Sequence, residues 1–126
     1  MMQIRVYYED TDVGGVVYHS NYLNFCERAR SELFFSSGRS PITSVGHFVV
    51  KDIKANYLKS AKFGDVLDVK TSLKSVKNAS LIMIQKIYRE DILIFEMEIK
   101  LVHLTLGGEV ALIPEEEKFF LSEILK

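Results

Sequence analysis

Hydrophobic and polar residues alternate at the start of the chain, from Met2 to Glu9, and this alternation predicts a half-buried β-strand. The spacing of apolar residues then lengthens to that of an amphipathic helix. Ser20 or Asn21 is predicted to cap this helix, which continues to about Ser37. Its apolar stripe is formed by Tyr22, Phe25, Cys26, Ala29 and Leu33.

Alternation returns at His47 and continues through four segments, which predict four further strands. The predicted strands cover approximately residues 47–57, 67–74, 80–90 and 93–101. In the first of them, the residues predicted to share one face are Val49, Ile53, Ala55 and Tyr57. Short turns separate these strands, so we expect them to pair antiparallel.

A short last helix is predicted to start at Pro114, because proline and the three glutamates that follow it suit a helix N-terminus. The order strand, helix, four strands and short helix predicts one α+β domain over residues 1–126. The single long helix can cover only one face of the sheet. Spare apolar surface and an open sheet edge remain, so we expect an edge strand to pair with a second copy.

Composition narrows the classes of function. The chain of 126 residues has 16 Lys and Arg against 17 Asp and Glu, a net charge of −1, so it offers no basic face for nucleic acid. Hydrophobic residues make up 48% of the chain, which is slightly rich for a small domain and agrees with buried subunit contacts. The single cysteine, Cys26, excludes an internal disulfide and fits a reducing compartment.

The N-terminal residues 1–5 lack the apolar region of a signal peptide. No apolar run approaches the length of about 18 residues that a membrane-spanning helix requires. We therefore expect a cytoplasmic, soluble protein without a transmembrane segment.

The connection between the first strand and the long helix carries the candidate chemistry. It contains Asp10, Asp12, the pair Gly14-Gly15 and His19. Glycine lets the backbone approach a ligand closely, and a helix start offers free N–H groups. A carboxylate facing such N–H groups can attack a carbonyl carbon.

Two other interpretations of this connection were weighed. A calcium loop of the EF-hand type would need an acidic side chain where Asn21 stands, and His19 lacks the partners of a metal site. We therefore expect no metal. The remaining alternative is that Asp10 and Asp12 only cap turns.

The order of elements, the segment E-D-T-D-x-G-G-V-V-Y-H-x-N-Y and the later E-R-A-R resemble the hotdog-fold thioesterases of the 4-hydroxybenzoyl-CoA thioesterase family. Within that family the resemblance is strongest to the Tol-Pal-associated, YbgC-type, acyl-CoA thioesterases. It covers essentially the whole chain, although only residues 8–30 are specific and the later strands match in pattern alone. The resemblance implies a hotdog fold, in which a curved five-stranded antiparallel sheet wraps around one long central helix.

The resemblance also implies an activity and its residues. The family's catalytic aspartate corresponds to Asp12, and its activating backbone amide corresponds to His19. The Tyr8 hydroxyl and the His19 side chain fall at positions close to the reaction centre. The implied substrate is acyl-CoA or an acyl group on acyl carrier protein, with no cofactor. The resemblance further implies a homodimer or homotetramer with sites at the dimer interface, and work near the inner membrane face.

The residues themselves leave several roles open. Asp12 can act as a base on water or attack the thioester carbon directly. The His19 side chain can orient Asp12, contact the substrate or hold the loop as a structural histidine. Tyr8 can either pack in the core or present its hydroxyl to the site. The cluster Lys54, Lys59 and Lys62 can meet coenzyme A phosphates, but a solvated face is the simpler interpretation.

Two rival functions remain on the same fold. A non-catalytic acyl-CoA-binding regulator is expected to lack the loop acid and to carry an effector domain, whereas this chain has Asp12 and no spare length. A hotdog dehydratase is disfavoured because His47 is followed by Phe48-Val49 without the expected proline. We expect His103 and Cys26 to be packing residues, and Phe34, Phe48 and Val50 to set the depth of an acyl pocket.

Overall fold

The computed structural model describes residues 1–125, and its secondary structure is a five-stranded antiparallel sheet with two α-helices. The strands are β1 (Met2–Arg5), β2 (Gly46–Tyr57), β3 (Val66–Val76), β4 (Ser80–Arg89) and β5 (Ile92–Thr105), and the helices are α1 (His19–Phe35) and α2 (Glu115–Ile124). The strand order across the sheet is β1-β3-β4-β5-β2. This architecture confirms the predicted five-stranded antiparallel sheet. One long helix covers most of one face of that sheet.

The core lies between α1 and the concave face of the sheet. The helix contributes Phe25, Cys26 and Ala29, all buried. The sheet contributes alternate residues of its two central strands, which are Leu81, Met83 and Ile87 of β4 and Phe95, Met97 and Ile99 of β5. Burying apolar side chains of this kind contributes roughly 1.5–3 kcal/mol each to folding. The two-residue period of the sequence therefore identifies the buried face of the central strands.

The first strand ends earlier than the alternation of the sequence predicts. β1 stops at Arg5, and residues 8–10 form a 3₁₀ turn. The cause is Asp10, because its Oδ2 accepts a hydrogen bond of 2.9 Å from the Tyr7 N–H and bends the chain. Tyr8 is consequently 81% exposed, which excludes core packing within the chain as its role.

The long helix also begins earlier than predicted. Its N-cap is Tyr18, without a side-chain cap, so Ser20 and Asn21 lie inside the first turn. The predicted cap at Ser20 or Asn21 is therefore wrong. The side-chain amide of Asn21 instead donates to the backbone carbonyl of Asp10 at 2.9 Å. His19 becomes the first helical residue.

A bulge in β2 changes which residues share a face. The register against β5 shifts between Val50 and Asp52, so the inward positions change from even to odd numbers. Phe48 and Val50 face α1 before the bulge, and Tyr57 faces it afterwards. The prediction that Val49 shares a face with Tyr57 is therefore wrong. The alternating pattern of the sequence does not show where a bulge inserts an extra residue into a strand.

Strand β2 is one edge of the sheet and is open along its outer side. Several of its apolar side chains remain accessible, with Val50 49% and Tyr57 48% exposed. The predicted open edge is thus present, while its pairing with a second copy stays a prediction. Within residues 1–125, neither helix is long and apolar enough to cross a membrane.

Candidate active site

The loop between β1 and α1 is a small hairpin that ends at the start of the helix. Thr11 pairs with Val17 in an isolated antiparallel bridge, and the Asp12 N–H donates to the Val16 carbonyl at 2.8 Å. Gly15 at the tip has a φ of +81°, a conformation that favours glycine. The hairpin therefore holds Asp12 in a fixed backbone position beside the entry to α1.

The two oxygens of the Asp12 carboxylate have different surroundings. Oδ1 accepts hydrogen bonds from the Gly14 N–H at 2.8 Å and from the Val16 N–H at 3.4 Å. Oδ2 makes no hydrogen bond with any residue from 1 to 125, and the residue is exposed. One oxygen thus stabilises the hairpin and the other is available to a substrate. The turn-capping role and the chemical role can coexist in this residue.

The backbone of His19 offers an unused donor. As the first residue of α1 it has no acceptor within the helix, and its N–H makes no hydrogen bond in the described part of the chain. The positive end of the helix dipole lies at this N–H and strengthens its attraction for negative charge. Such a group can stabilise negative charge that develops on a carbonyl oxygen. The imidazole is exposed and packs against Tyr18, with ring centroids 4.4 Å apart.

Asp10 ties the loop to the helix. Its backbone carbonyl accepts from the Tyr18 N–H and from the Asn21 side-chain amide, both at 2.9 Å. Its side chain is buried and holds the turn at Tyr7. Sequence reasoning identified Asp10 as a loop acid but missed that Asn21 joins it to the helix. This arrangement fixes the start of α1 relative to the hairpin of Asp12.

Tyr8 lies beside the segment that follows β2. Its ring meets the ring of Phe63 edge to face, with centroids 6.3 Å apart. The same segment reaches the hairpin, because Lys62 forms a backbone bridge with Val16. Tyr8, Asp12 and His19 thus belong to one connected loop region, although no hydrogen bond or ring contact joins any two of them within residues 1–125.

Tyr57, at the end of β2, contacts His19 and was not among the predicted site residues. Its hydroxyl donates to the His19 backbone carbonyl at 2.9 Å. A cavity of about 270 Å³ lies next to both residues and is lined by Val17, His19, Tyr22, Tyr57, Leu58, Lys59 and Ser60. Of the three lysines singled out in the sequence, only Lys59 lines this cavity, whereas Lys54 lies with Glu98 in a separate depression.

A second cavity of about 240 Å³ opens between α1, β2 and α2. Its lining includes Phe34, Phe48 and Val50, the residues expected to set the depth of an acyl pocket. Its other walls are mostly apolar and include Leu81, Met83, Leu101 and Leu121. The cavity can therefore accept an apolar group.

Arg30 brings a cation to the wall of this apolar cavity. Its guanidinium donates to Gln85 Oε1 at 2.8 Å, and burial lowers the pKa of the arginine. The charged run of residues 27–32 has the ion-pair spacing that is typical of a solvated or interfacial helix face. Arg30 departs from a solvated position because its side chain turns inward to the sheet.

Two further residues with potentially reactive side chains, Cys26 and His103, are poorly suited to catalysis. Burial raises the pKa of the Cys26 thiol to about 12, which leaves almost no thiolate at neutral pH. His103 is buried, donates from Nδ1 to the Ala111 carbonyl, and lies 2.8 Å from Thr43 Oγ1 through Nε2. Both are core residues, as the sequence predicts.

Comparison with known proteins gives concordant results. The sequence profile of the thioesterase superfamily matches residues 14–95. The chain is 48% identical over 87 residues to the acyl-CoA thioesterase YbgC of Helicobacter pylori, covering 69% of this chain and 65% of that protein. The chain thus aligns with slightly less than two thirds of the length of that relative.

Two further similarities extend over more of the chain. The acyl-CoA thioesterase YbgC of Haemophilus influenzae is 39% identical, with 82% of this chain and 79% of that protein covered. The crystal structure of a probable thioesterase from Bartonella henselae superposes with a TM-score of 0.84 at 30% identity, covering 90% of this chain and 97% of that one. By profile, sequence and fold, the chain belongs to the thioesterase superfamily, and its fold is the hotdog fold.

Proposed function

We propose that this protein is an acyl-CoA thioesterase, which hydrolyses acyl-CoA to a free acid and coenzyme A. The observation that carries the proposal is that the same loop region presents the Asp12 Oδ2 and the His19 N–H, neither of which makes a hydrogen bond within residues 1–125. The names of the relatives from Helicobacter and Haemophilus, both acyl-CoA thioesterases, support it.

In the proposed reaction, the thioester carbonyl oxygen accepts a hydrogen bond from the His19 N–H. This donor stabilises the negative charge that builds up as the carbonyl carbon is attacked, an effect typically worth about 10²–10³ in rate. Asp12 either removes a proton from the attacking water or attacks the carbon itself. In the second case water then cleaves the mixed anhydride. The thiolate of coenzyme A leaves in both cases and takes up a proton.

The two cavities suggest where the acyl chain and the coenzyme A part of the substrate bind. The apolar cavity lined by Phe34, Phe48 and Val50 suits the acyl chain. The cavity beside His19 carries Lys59 on its wall, and a lysine ammonium suits the phosphates of coenzyme A. The reacting carbonyl would lie between them.

The proposed working unit is a dimer paired along β2. This strand is an open edge whose accessible apolar side chains include Val50, Ile53 and Tyr57. Tyr57 also contacts His19, so pairing at this edge would place a second copy beside the site. Asp12, exposed in the single chain, would then be shielded from bulk water.

The decisive experiment measures release of free thiol from acyl-CoA substrates of increasing chain length, and from the same acyl groups on acyl carrier protein. We expect hydrolysis with saturable kinetics and a clear optimum in chain length. Tight binding without thiol release would instead support a non-catalytic regulator. Hydration of enoyl-CoA without thiol release would support a dehydratase and overturn the proposal.

A further inference from the structure

We propose that Tyr57 is a positioning residue, which holds the His19 backbone at the start of α1 through its hydroxyl group. This inference rests on the proposed thioesterase function, since the orientation of His19 matters only if its N–H binds the substrate. Tyr57 lies at the last position of β2, far from the loop in sequence.

The hydroxyl of Tyr57 reaches a carbonyl that already belongs to the helix. It donates to the His19 carbonyl oxygen at 2.9 Å. The carbonyl and the N–H of His19 flank one Cα atom. A hydrogen bond to this carbonyl restrains the backbone torsions of His19. It therefore also restrains the direction in which the His19 N–H points. It also polarises the peptide unit that contains the Ser20 N–H, which makes no hydrogen bond within residues 1–125.

The ring of Tyr57 is itself held in place by neighbouring rings. It meets Phe95 and Tyr22 edge to face, with centroids 5.0 Å and 5.6 Å away. Tyr22 in turn stacks on Phe95 with centroids 5.2 Å apart. Edge-to-face and offset pairs of this kind are favourable beyond their buried area. The hydroxyl is therefore presented from a fixed ring, as a positioning role requires.

The ionisation state of Tyr57 agrees with its role as a donor. Burial raises the pKa of the hydroxyl above its ordinary value, so the group remains protonated across the neutral range. The ring also meets the imidazole of His19 edge to face, with centroids 6.5 Å apart. Both the backbone and the side chain of His19 are thus in contact with the end of β2.

The test is the substitution Tyr57→Phe, which keeps the ring contacts and removes only the hydroxyl. We expect kcat on a good acyl-CoA substrate to fall about tenfold, less than the 10²–10³ that follows removal of an oxyanion donor. We expect KM to change less than about twofold, because the His19 N–H that Tyr57 positions acts mainly on the charge that develops on the carbonyl oxygen during the reaction. Tyr88→Phe is the matched control, since Tyr88 lies on β4 and lines a separate depression with Asp68 and Glu90, and it should keep both constants.

A second measurement is independent of turnover. In the Tyr57→Phe variant, the amide proton of Ser20 should move upfield in the NMR spectrum because its peptide unit loses polarisation, while the Tyr88→Phe spectrum should match wild type at Ser20. An unchanged Ser20 resonance, or a kcat within about twofold of wild type, would overturn the positioning role. A wild-type protein without thioesterase activity would overturn the proposed function instead, and the Ser20 resonance would still report on the hydrogen bond.

Discussion

Asp10 and Asp12 are separated by one residue, and the hydrogen bonds around them give their carboxylates different surroundings. Asp10 is buried and uses its side chain to hold the turn at Tyr7. Asp12 is exposed, and its Oδ2 makes no hydrogen bond in the described residues 1–125, while its Oδ1 accepts from loop amides. A carboxylate with a free, accessible oxygen is the one that a substrate can reach. We therefore propose Asp12, rather than Asp10, as the reactive group.

The first prediction concerns the charge of Asp12. Asp12→Asn retains an oxygen that can accept the hydrogen bonds of the loop but removes the negative charge. We expect turnover of acyl-CoA to fall at least about 10²-fold, with the fold intact. The measurement is steady-state thiol release, together with circular dichroism. Near-normal turnover of the folded variant would contradict the proposed mechanism.

Asp10→Asn is the matched control for that experiment. Its side chain also accepts a backbone hydrogen bond, yet it faces the turn at Tyr7. We expect this variant to lose some stability and less than about tenfold in turnover. Equal losses in the two variants would show that loop integrity, and not the Asp12 charge, limits the rate.

The second prediction separates the backbone of His19 from its side chain. His19→Ala retains the N–H at the helix start, which is the proposed electrophilic group. We expect a loss of roughly tenfold to a hundredfold, smaller than that of Asp12→Asn, because the imidazole gives at most acid–base or positional support. Both variants should be measured on one acyl-CoA substrate. A folded His19→Ala protein as inactive as Asp12→Asn would make the imidazole an essential catalytic group.

At the scale of elements, the hydrophobic period predicts the five strands and the long helix, whereas Pro114 and the three glutamates after it predict the short helix. It failed where contacts distant in sequence decide a boundary. The start of α1 depends on the bond from Asn21 to Asp10, and the faces of β2 depend on a bulge against β5. The contact of Tyr57 with His19 could likewise not be predicted from local sequence pattern, because it joins residues 38 positions apart. Local pattern identified the candidate loop, and tertiary contacts determined its geometry.

An ion pair joins the last helix to the segment that follows α1. Arg39, which follows α1, donates to Glu117 Oε1 at 2.6 Å, and the Glu117 side chain is only 7% exposed. The guanidinium of Arg39 also lies over the ring of Phe120, 4.5 Å from its centroid. Leu121 of the same helix lines the apolar cavity. Loss of this pair would therefore loosen one wall of the proposed acyl pocket.

The third prediction tests how much the ion pair of Arg39 and Glu117 contributes to stability. Glu117→Gln removes the charge that compensates Arg39, so we expect the free energy of unfolding to fall by about 1–3 kcal/mol. Urea denaturation measures the difference. Glu116→Gln, at an exposed position of the same helix turn, is the control and should change stability by less than about 0.5 kcal/mol. Equal stability of the two variants would mean that the ion pair contributes little.

At the scale of the whole molecule, the open edge at β2 leads to the fourth prediction. We expect the 14.4 kDa chain to form a stable dimer or larger assembly at low micromolar concentration, measured by light scattering. Ile53→Lys should weaken this assembly, because a lysine on an edge strand opposes pairing. Phe119→Lys, at an apolar position on α2 that is more exposed than Ile53 (70% against 38%), is the control and should leave the assembly intact.

A stable monomer of the wild-type chain would contradict the dimer. If that monomer still hydrolysed acyl-CoA, the site would be complete within one chain. If Ile53→Lys produced a folded monomer without activity, the second copy would be required for catalysis.

The unequal surroundings of the two Asp12 oxygens allow the oxygen atom of water to be followed through the reaction. Suppose that Asp12 attacks the thioester: its free Oδ2 would form the anhydride, while Oδ1 stays with the loop amides. In water enriched in heavy oxygen, a single turnover with excess enzyme would then leave heavy oxygen in Asp12 whenever water cleaves the anhydride on the aspartyl side. A base mechanism would place all of the label in the released acid. Heavy oxygen found by mass spectrometry in the peptide containing Asp12 would therefore identify Asp12 as the nucleophile.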